Sequence, residues 1–328
     1  MSLREDFDAL LLDLDGTVWE GGQALPDAIE ALNASDAALV YITNNASRGP
    51  EVVAKLLSEM GIPTASEQVL TSAQAAIEMA QKHLLAGAPV LVLGSDSFKA
   101  LAKAGGFEVV ASADEQPQAV LHGHNPATGW AELSEAALAI AAGAHYFASN
   151  LDTTLPSERG LCVGNGSMVA AVTSATGVKP QAAGKPQPAM FYSAVERVQC
   201  TRPLAVGDRL DTDIAGAVAA DMPTLHLLSG VSKHWALIRS DHTQRPTMVA
   251  ATLAALDQEQ EQLIPSAQGG FVAQREGEAI VLSGGNPDAT ALQALRTVLA
   301  VAWQQAAGFQ GEVIAASDKA AQAMQEWS

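Results

Sequence analysis

A short apolar stretch that ends in two aspartates constrains the fold of this chain more than any other feature. Residues 9–12 are wholly apolar, and Asp13 and Asp15 follow before Gly16. A run this short and apolar is typical of a strand buried on both faces of a parallel sheet. Gly16 ends such a strand, so both carboxylates are expected at its carboxyl end, where open α/β sheets bind their ligands.

The spacing of these aspartates indicates what such a site can bind. Two close carboxylates repel each other unless a cation lies between them, and oxygen ligands favour a hard divalent ion such as Mg²⁺. One aspartate can then serve as ligand and nucleophile and the other as general acid, which outlines a phosphoryl-transfer site. A calcium loop would need Gly and Glu where the chain has Val18 and Ala24. A chance sequence on a solvated turn is the other alternative.

Two further segments carry polar groups that suit a bound phosphate. The apolar residues 40–42 predict a strand, and Thr43, Asn44 and Asn45 follow it with one hydroxyl and two amides. Such groups hold phosphate oxygens, although they also serve as ordinary turn and helix-capping residues. Lys185 lies in a Gly-Lys-Pro sequence before a predicted helix. An ammonium group fixed there can neutralise a carboxylate and a phosphate together.

An acidic segment follows another predicted strand. The apolar residues 204–206 lead into a stretch that contains Asp208, Asp211 and Asp213. In isolation an acidic surface turn would explain this stretch equally well. Its place after the three preceding segments favours a role in the same site.

Taken in order, the four segments resemble the motifs of the haloacid dehalogenase superfamily of aspartate-nucleophile phosphatases, over about residues 5–260. The resemblance implies that Asp13 is the nucleophile and a Mg²⁺ ligand. It also implies that Asp15 is the acid/base and binds the metal through its backbone carbonyl. Asp208 would complete the metal site, with Asp213 as a supporting carboxylate. Family members that cleave carbon–halogen bonds lack the second acid, so Asp15 favours a phosphate substrate.

The same resemblance assigns the phosphate-binding groups. Thr43 and the neighbouring amides of Asn44 and Asn45 would hold the phosphate, and Lys185 would balance its charge. Asp211 falls outside the family pattern and is expected to be a turn residue.

The distances between the motifs predict an inserted domain. Asn45 and Lys185 are 140 positions apart, far more than one crossover needs. Strand-like runs at 89–93, 119–122 and 145–148 indicate that the insertion is itself α/β. An insertion at this point resembles the subclass that includes UMP, pyridoxal-phosphate and phosphoglycolate phosphatases. The first predicted domain is a Rossmann-like parallel-sheet core in two parts, 1–72 and 179–262. An α/β cap is predicted at 73–178 and a small C-terminal domain at 263–328.

The cap contains a loop that resembles the one closing over the leaving group in relatives. Asn150, Asp152 and Leu155 in this loop are therefore expected to contact the substrate. Residues 150–159 include no aromatic side chain, whereas a nucleobase would gain about 1–3 kcal/mol from stacking on one. The polar groups suit the hydroxyls of a short polyol phosphate better.

The last 66 residues predict a ββαβα unit. Residues 271–274 and 279–282 read as a hairpin, residues 292–303 as an amphipathic helix, and residues 313–315 as a strand. This tail resembles that of a bacterial branch of glycerol-3-phosphate phosphatases. Packing or dimerisation is its expected role, with a regulatory ligand site as the alternative. Just before the tail, residues 248–256 predict a helix of the core.

The composition of the chain limits the classes of partner that it is expected to bind. A formal charge of −18 argues against nucleic acid and against an anionic membrane surface. No apolar run approaches the roughly 18 residues that a spanning helix requires. Cys162 and Cys200 provide no disulfide framework and suit a reducing compartment. A soluble, cytoplasmic protein is expected, with a homodimer as a candidate assembly.

These inferences predict a Mg²⁺-dependent phosphomonoester hydrolase that acts through an aspartyl phosphate on a small metabolite, with glycerol 3-phosphate favoured. A broad sugar- or nucleotide-monophosphate phosphatase is one alternative. A non-catalytic binding or sensor protein on the same fold is the other.

Overall fold

The structure, a computed structural model, describes residues 2–157 and 159–328, so Glu158 of the predicted substrate loop lies outside the described residues. The described chain forms two compact units. Unit 1 contains the chain up to Val40, Met60–Ile62 and Val195–Ser328, and unit 2 contains Tyr41–Glu59 and Pro63–Ala194. The predicted division at residues 72, 178 and 262 remains a prediction.

Strands and helices alternate along most of the described chain. The strands in chain order are β1 Ala9–Leu12, β2 Trp19–Glu20, β3 Gln23–Ala24, β4 Ala38–Thr43, β5 Val69–Thr71, β6 Pro89–Leu93, β7 Glu108–Val110, β8 Ala119–His122, β9 His145–Ala148, β10 Thr154–Ser157, β11 Gly160–Val163, β12 Gln181–Ala182, β13 Pro203–Gly207, β14 Thr224–Leu227, β15 Met248–Ala250, β16 Phe271–Glu276, β17 Ala279–Gly284 and β18 Val313–Ala315. The helices in chain order are α1 Leu3–Asp6, α2 Ala28–Asn33, α3 Pro50–Glu59, α4 Ser72–Gln81, α5 Asp96–Ala104, α6 Trp130–Ala141, α7 Asn165–Thr176, α8 Ala189–Val198, α9 Ala215–Ala219, α10 His234–Arg239, α11 Gln260–Leu263, α12 Ala291–Ala302 and α13 Asp318–Met324.

The main sheet of unit 1 is parallel, in the order β15, β14, β13, β1. All four residues of β1 are buried, as its apolar sequence predicts. Leu12 pairs with Val206 of β13, so β1 and β13 end side by side. The residues that follow the two strands therefore emerge at the same edge of the sheet.

One local prediction in unit 1 is wrong. Met248–Ala250 is the strand β15, paired with β14, and Leu253–Asp257 is a 3-10 helix rather than part of an α-helix. A short apolar run fits a buried strand and a buried helix equally well, and pairing with the sheet decides between them.

The tail of the chain confirms the predicted ββαβα order. The strands β16 and β17 form an antiparallel hairpin, and β18 adds to β17 in parallel. Thr290 caps α12, accepting a hydrogen bond from the Gln293 amide. The buried face of α12 includes Leu295 and Leu299, as the amphipathic pattern predicts.

Unit 2 is built on a second parallel sheet, in the order β12, β9, β8, β6, β7. Its strands β6, β8 and β9 are the three predicted for the insertion. The helices α6 and α7 pack together and bury residues such as Ile140 and Val172. The strands β10 and β11 form a separate hairpin, which the sequence did not predict.

None of the helices in the described part of the chain is long and apolar enough to span a membrane.

Candidate functional site

Three aspartates of unit 1 converge at the edge where β1 and β13 end. Ligand oxygens of Asp13, Asp208 and Asp213 all lie within 4.8 Å of one another. Asp208 is fully buried and Asp213 nearly so. Burial disfavours charged carboxylates, and their mutual repulsion adds to that cost. A divalent cation among the three would offset both effects, so this donor set fits a hard metal such as Mg²⁺.

The sequence predicted all three aspartates for one site, with different roles. Asp13 and Asp208 were expected as metal ligands, and they are together. Asp213 was expected as a supporting carboxylate, and its ligand oxygen lies within the same 4.8 Å of the other two. The five-residue interval between Asp208 and Asp213 was the available signal. Only the local helical geometry shows that it turns both side chains to one place.

That geometry is a π-helical turn over Leu210–Ile214, directly after β13. Asp213 Oδ2 accepts a hydrogen bond from the Arg209 amide at 3.1 Å, which fixes the carboxylate against the start of the turn. Asp211 forms an exposed ion pair with Arg209 at 2.8 Å.

Asp208 is held from a second loop, which follows β14. The Val231 amide donates to Asp208 Oδ2 at 2.5 Å, and the Thr17 hydroxyl contacts Oδ1 at 3.5 Å. The backbone of Asp208 is fixed as well, because its carbonyl accepts from the Ser232 amide at 3.1 Å. The sequence gives no indication of Val231 and Ser232, since backbone donors leave no residue-type signal.

Glycines make room for this buried carboxylate. A Cβ placed on Gly230 would lie 1.9 Å from Asp208 Oδ2, and one on Gly16 would lie 2.6 Å from the same atom. Gly16 also has a φ of +89°, which side-chain-bearing residues rarely adopt. The pocket around Asp208 therefore depends on two glycines that are distant in sequence.

Asp15 has different surroundings. Its side chain is exposed, and Oδ1 accepts a hydrogen bond from Trp19 Nε1 at 2.8 Å. Trp19 is only 6% exposed, so its buried ring provides a fixed donor. A carboxylate held at one oxygen keeps the other for a proton-transfer partner, which suits the expected acid/base role. Trp19 was not identified from the sequence, and its four-residue distance from Asp15 was the only signal.

In unit 2, Asn44 and Lys185 bind each other in both directions. The Lys185 amide donates to Asn44 Oδ1 at 2.8 Å, and Asn44 Nδ2 donates to the Lys185 carbonyl at 3.0 Å. Lys185 is 3% exposed, and its Nζ donates to the Ile42 carbonyl at 3.2 Å. Burying an ammonium group is costly unless anionic or dipolar groups compensate. A buried ammonium group held on a fixed backbone can be a partner for an anion such as phosphate.

Thr43 and Asn45 form the turn at the end of β4. Thr43 is buried, and its hydroxyl accepts from the Asn45 amide at 3.1 Å. Asn45 Oδ1 in turn accepts from the Ser47 amide at 2.8 Å. Both side chains thus act as ordinary turn residues, the alternative that their sequence left open. Their proposed contacts with phosphate remain a prediction.

The predicted substrate loop is tied to the Asn44 segment. Asn150 is buried and donates to the Asn44 carbonyl at 2.8 Å, and Asn44 donates to Asp152 Oδ2 at 3.2 Å. Asn165, which no sequence motif indicated, donates to the Asn150 carbonyl at 2.8 Å. Leu155 lies on β10 and is 39% exposed. Contacts of Asn150, Asp152 and Leu155 with a substrate remain predictions.

A buried histidine lies in the same unit. His122 is fully buried on β8, and its Nδ1 pairs with the Tyr146 hydroxyl at 2.9 Å. Burial lowers the pKa of His122 from 6.5 to about 4, so the ring is neutral at pH 7.

Among the described residues, the three aspartates are the one group of three or more potential metal ligands this close together.

Two family models match the chain. One, described as haloacid dehalogenase-like hydrolase, matches residues 10–108, and another, described as HAD-hydrolase-like, matches residues 182–256. Together they contain the segments of Asp13, Thr43, Lys185 and Asp208.

Individual relatives extend the similarity beyond these segments. The D-glycerol 3-phosphate phosphatase of Mycobacterium tuberculosis is 40% identical over 100% of this chain and 96% of the relative. The acid sugar phosphatase of Staphylococcus saprophyticus is 35% identical over 70% of this chain and 89% of its own length. A crystal structure of the glycerol phosphate phosphatase from M. tuberculosis in complex with magnesium has a TM-score of 0.95 and 40% identity, and the match covers 100% of this chain and 99% of that one.

Proposed function

The chain belongs to the haloacid dehalogenase-like hydrolases, and we propose that it is a magnesium-dependent phosphatase of a small phosphomonoester. The observation that carries this proposal is the group of Asp13, Asp208 and Asp213, whose ligand oxygens lie within 4.8 Å of one another. These residues would hold the cation. When bound, Mg²⁺ offsets the negative charge of the carboxylates and of the substrate phosphate.

Asp13 and Asp15 divide the reaction into two displacements. A carboxylate oxygen of Asp13 attacks phosphorus, the ester P–O bond breaks, and Asp15 donates its proton to the leaving alkoxide. Water then attacks the phosphorus of the aspartyl phosphate while Asp15 takes a proton from it. The second P–O bond breaks, which releases inorganic phosphate and restores Asp13. The hydrogen bond from Trp19 supports this role by fixing one oxygen of Asp15.

We assign the phosphate oxygens to Thr43, Asn44, Asn45 and Lys185. The motif order supports this assignment, and so does the burial of the Lys185 ammonium group, which is 3% exposed. Phosphoryl transfer needs positioning and charge stabilisation more than covalent help from the protein. A buried cation on a fixed backbone supplies both.

D-Glycerol 3-phosphate is the proposed substrate. The M. tuberculosis relative that bears this activity in its name is 40% identical over the whole chain. The lack of an aromatic side chain in residues 150–159 supports a short polyol over a nucleobase or a pyridoxal ring. Sugar phosphates are the second candidate, because the staphylococcal relative at 35% identity is an acid sugar phosphatase.

The remaining assignments are also proposals. With only Cys162 and Cys200 the chain has no disulfide framework, and this composition supports the proposed reducing cytoplasm. We also propose the division of the chain at residues 72, 178 and 262 and a homodimeric assembly. Light scattering of the purified chain would measure its oligomeric state.

A phosphate-release assay tests the function. Purified protein is given D-glycerol 3-phosphate, a sugar phosphate, UMP and pyridoxal phosphate, each with Mg²⁺ and with EDTA. We expect Mg²⁺-dependent release and the highest kcat/KM for glycerol 3-phosphate. A tenfold preference for UMP or pyridoxal phosphate would contradict the substrate. A lack of turnover on every compound, and on an aryl phosphate, would favour the binding or sensor alternative.

A further inference from the structure

The segment 263–328 carries none of the four motifs, yet its contacts lead to the metal-binding aspartates within unit 1. We propose that this segment is a positioning element for Asp208 and Asp213, and that losing its contacts weakens Mg²⁺ binding. The inference rests on the proposed function only in taking Mg²⁺ as the ion. It goes further by giving the tail a part in the metal centre rather than packing alone.

The first connection is the hydrophobic core around the π-helical turn. Leu210 and Ile214 flank Asp213 in this turn and are buried. They belong to one cluster of buried side chains that also contains residues of the tail, namely Phe271, Ile280, Leu282, Leu295, Val298 and Leu299. Close-packed cores transmit displacements because they contain few voids. The position of the turn therefore depends on the tail that fills the same core.

The second connection is the start of α10. The ring of Trp327 stacks on His234 with centroids 6.2 Å apart, and Trp235 meets it edge-on at 5.8 Å. The Ser328 amide donates to His234 Nδ1 at 3.3 Å. Aromatic pairs of this kind stabilise the packing beyond the burial of their area. Trp327 and Ser328 thus hold the first two residues of α10.

The loop that binds Asp208 leads directly into this helix. Ser232, two positions before His234, donates its amide to the Asp208 carbonyl, and its hydroxyl accepts from the Leu210 amide at 3.1 Å. Val231 donates to the Asp208 carboxylate. A shift at the start of α10 would therefore move the donors of Asp208 and the first residue of the turn that carries Asp213.

Other contacts anchor the tail at a distance from Trp327. Trp303 Nε1 donates to the Leu237 carbonyl at the far end of α10, at 3.0 Å. The buried Arg296 donates through Nε and Nη2 to the Val249 carbonyl of β15, at 2.9 and 2.6 Å. With these contacts in place, a change at Trp327 should loosen one end of α10 without releasing the tail.

Trp327→Ala in the full chain tests the inference. The Mg²⁺ dissociation constant is measured by titration calorimetry on the folded protein, so one readout needs no turnover. Changes in groups that orient metal ligands typically cost 10–100-fold in metal affinity, and we expect about tenfold because Trp327 acts through α10. In the phosphatase assay, the Mg²⁺ concentration for half-maximal rate should rise while kcat at saturating Mg²⁺ stays near the wild-type value.

Two further variants act as controls. Trp327→Phe keeps an aromatic ring against His234 and should retain most of the wild-type Mg²⁺ affinity. Trp130→Ala removes an indole that is 84% exposed in unit 2 and should leave the affinity unchanged.

Other outcomes of these experiments would contradict the inference. If Trp327→Ala folds with a lowered Tm but an unchanged Mg²⁺ dissociation constant, the tail only packs and the inference is wrong. Should this variant fail to fold, Trp303→Phe, which removes the donor to Leu237 but keeps a ring, must weaken Mg²⁺ binding, or the inference is again wrong. A wild-type chain that binds Mg²⁺ but hydrolyses no phosphomonoester would contradict the proposed function and leave this affinity test decisive.

Discussion

Gly230→Ala should disable the metal centre by displacing one carboxylate. The new Cβ would lie 1.9 Å from Asp208 Oδ2 and 2.3 Å from its Cγ, whereas real Cβ contacts essentially never fall under 3.0 Å. One of the two groups must therefore move by about 1 Å, a displacement that can cost roughly a hundredfold in rate at a catalytic centre. Because Asp208 is fully buried, its carboxylate has little room in which to relax.

The expected result is a fall in kcat of about a hundredfold, equivalent to about 2.7 kcal/mol of transition-state stabilisation. Mg²⁺ binding should weaken as well. Overpacking typically costs about 1–3 kcal/mol of stability, so the variant should still fold. Turnover of an aryl phosphate, Mg²⁺ calorimetry and thermal unfolding measure the three effects separately.

Gly129→Ala is the matched control, since the same methyl group there would lie 3.5 Å from its nearest neighbour, Glu132 Oε2. We expect wild-type activity from it. A Gly230→Ala variant with wild-type kcat and wild-type Mg²⁺ affinity would refute the reasoning, because Asp208 would then have no fixed position to lose.

Three further predictions concern the reaction and the stability. Asp13→Asn should abolish turnover with an unchanged Tm, and Asp15→Asn should lower kcat by about 10²–10⁴-fold; more than a tenth of the wild-type rate in either would contradict the assigned roles. Trp19→Phe removes the donor to Asp15 and should lower kcat, because the carboxylate is then no longer held in place for proton transfer; a kcat equal to that of the wild type would show that this hydrogen bond is irrelevant. The pKa of His122 is lowered from 6.5 to about 4 by burial, so the unfolded chain binds more protons between these values. The neutral His122 therefore contributes fully to the free energy of unfolding above pH 6.5, and this free energy should fall by about 3 kcal/mol as the pH drops to about 4. Urea unfolding should show a smaller loss of stability with falling pH for His122→Gln than for the wild type. An equal loss in the two proteins would contradict this prediction.

The sequence by itself predicted most of the elements and proposed the residues of the site. Ala9–Leu12 was predicted at its observed bounds, because a short apolar run before a glycine is a local signal. The ββαβα tail was legible for the same reason, since alternation, turns and helix caps depend on neighbours in the chain. The motif order alone indicated Asp13, Asp15, Thr43, Lys185 and Asp208 as one functional set.

Local signals failed where pairing or packing chooses between conformations. Residues 248–250 became a strand because β14 offers a partner, and no feature of the short run itself could show this. The hairpin of β10 and β11 was missed in the same way.

The tertiary structure alone decided how the site is held. Gly230 and Val231 lie more than twenty positions from Asp208 in the sequence. Val231 nevertheless donates a hydrogen bond to Asp208, and a Cβ on Gly230 would collide with its carboxylate. Trp327 lies 93 positions beyond His234, and the two rings stack. Backbone amides and glycines leave no mark of their partners on the sequence, because any residue carries an amide and a missing side chain records nothing of the neighbour that needs the space. Which residues carry the chemistry is therefore a local property, and which residues hold them in place follows only from the packing of distant segments.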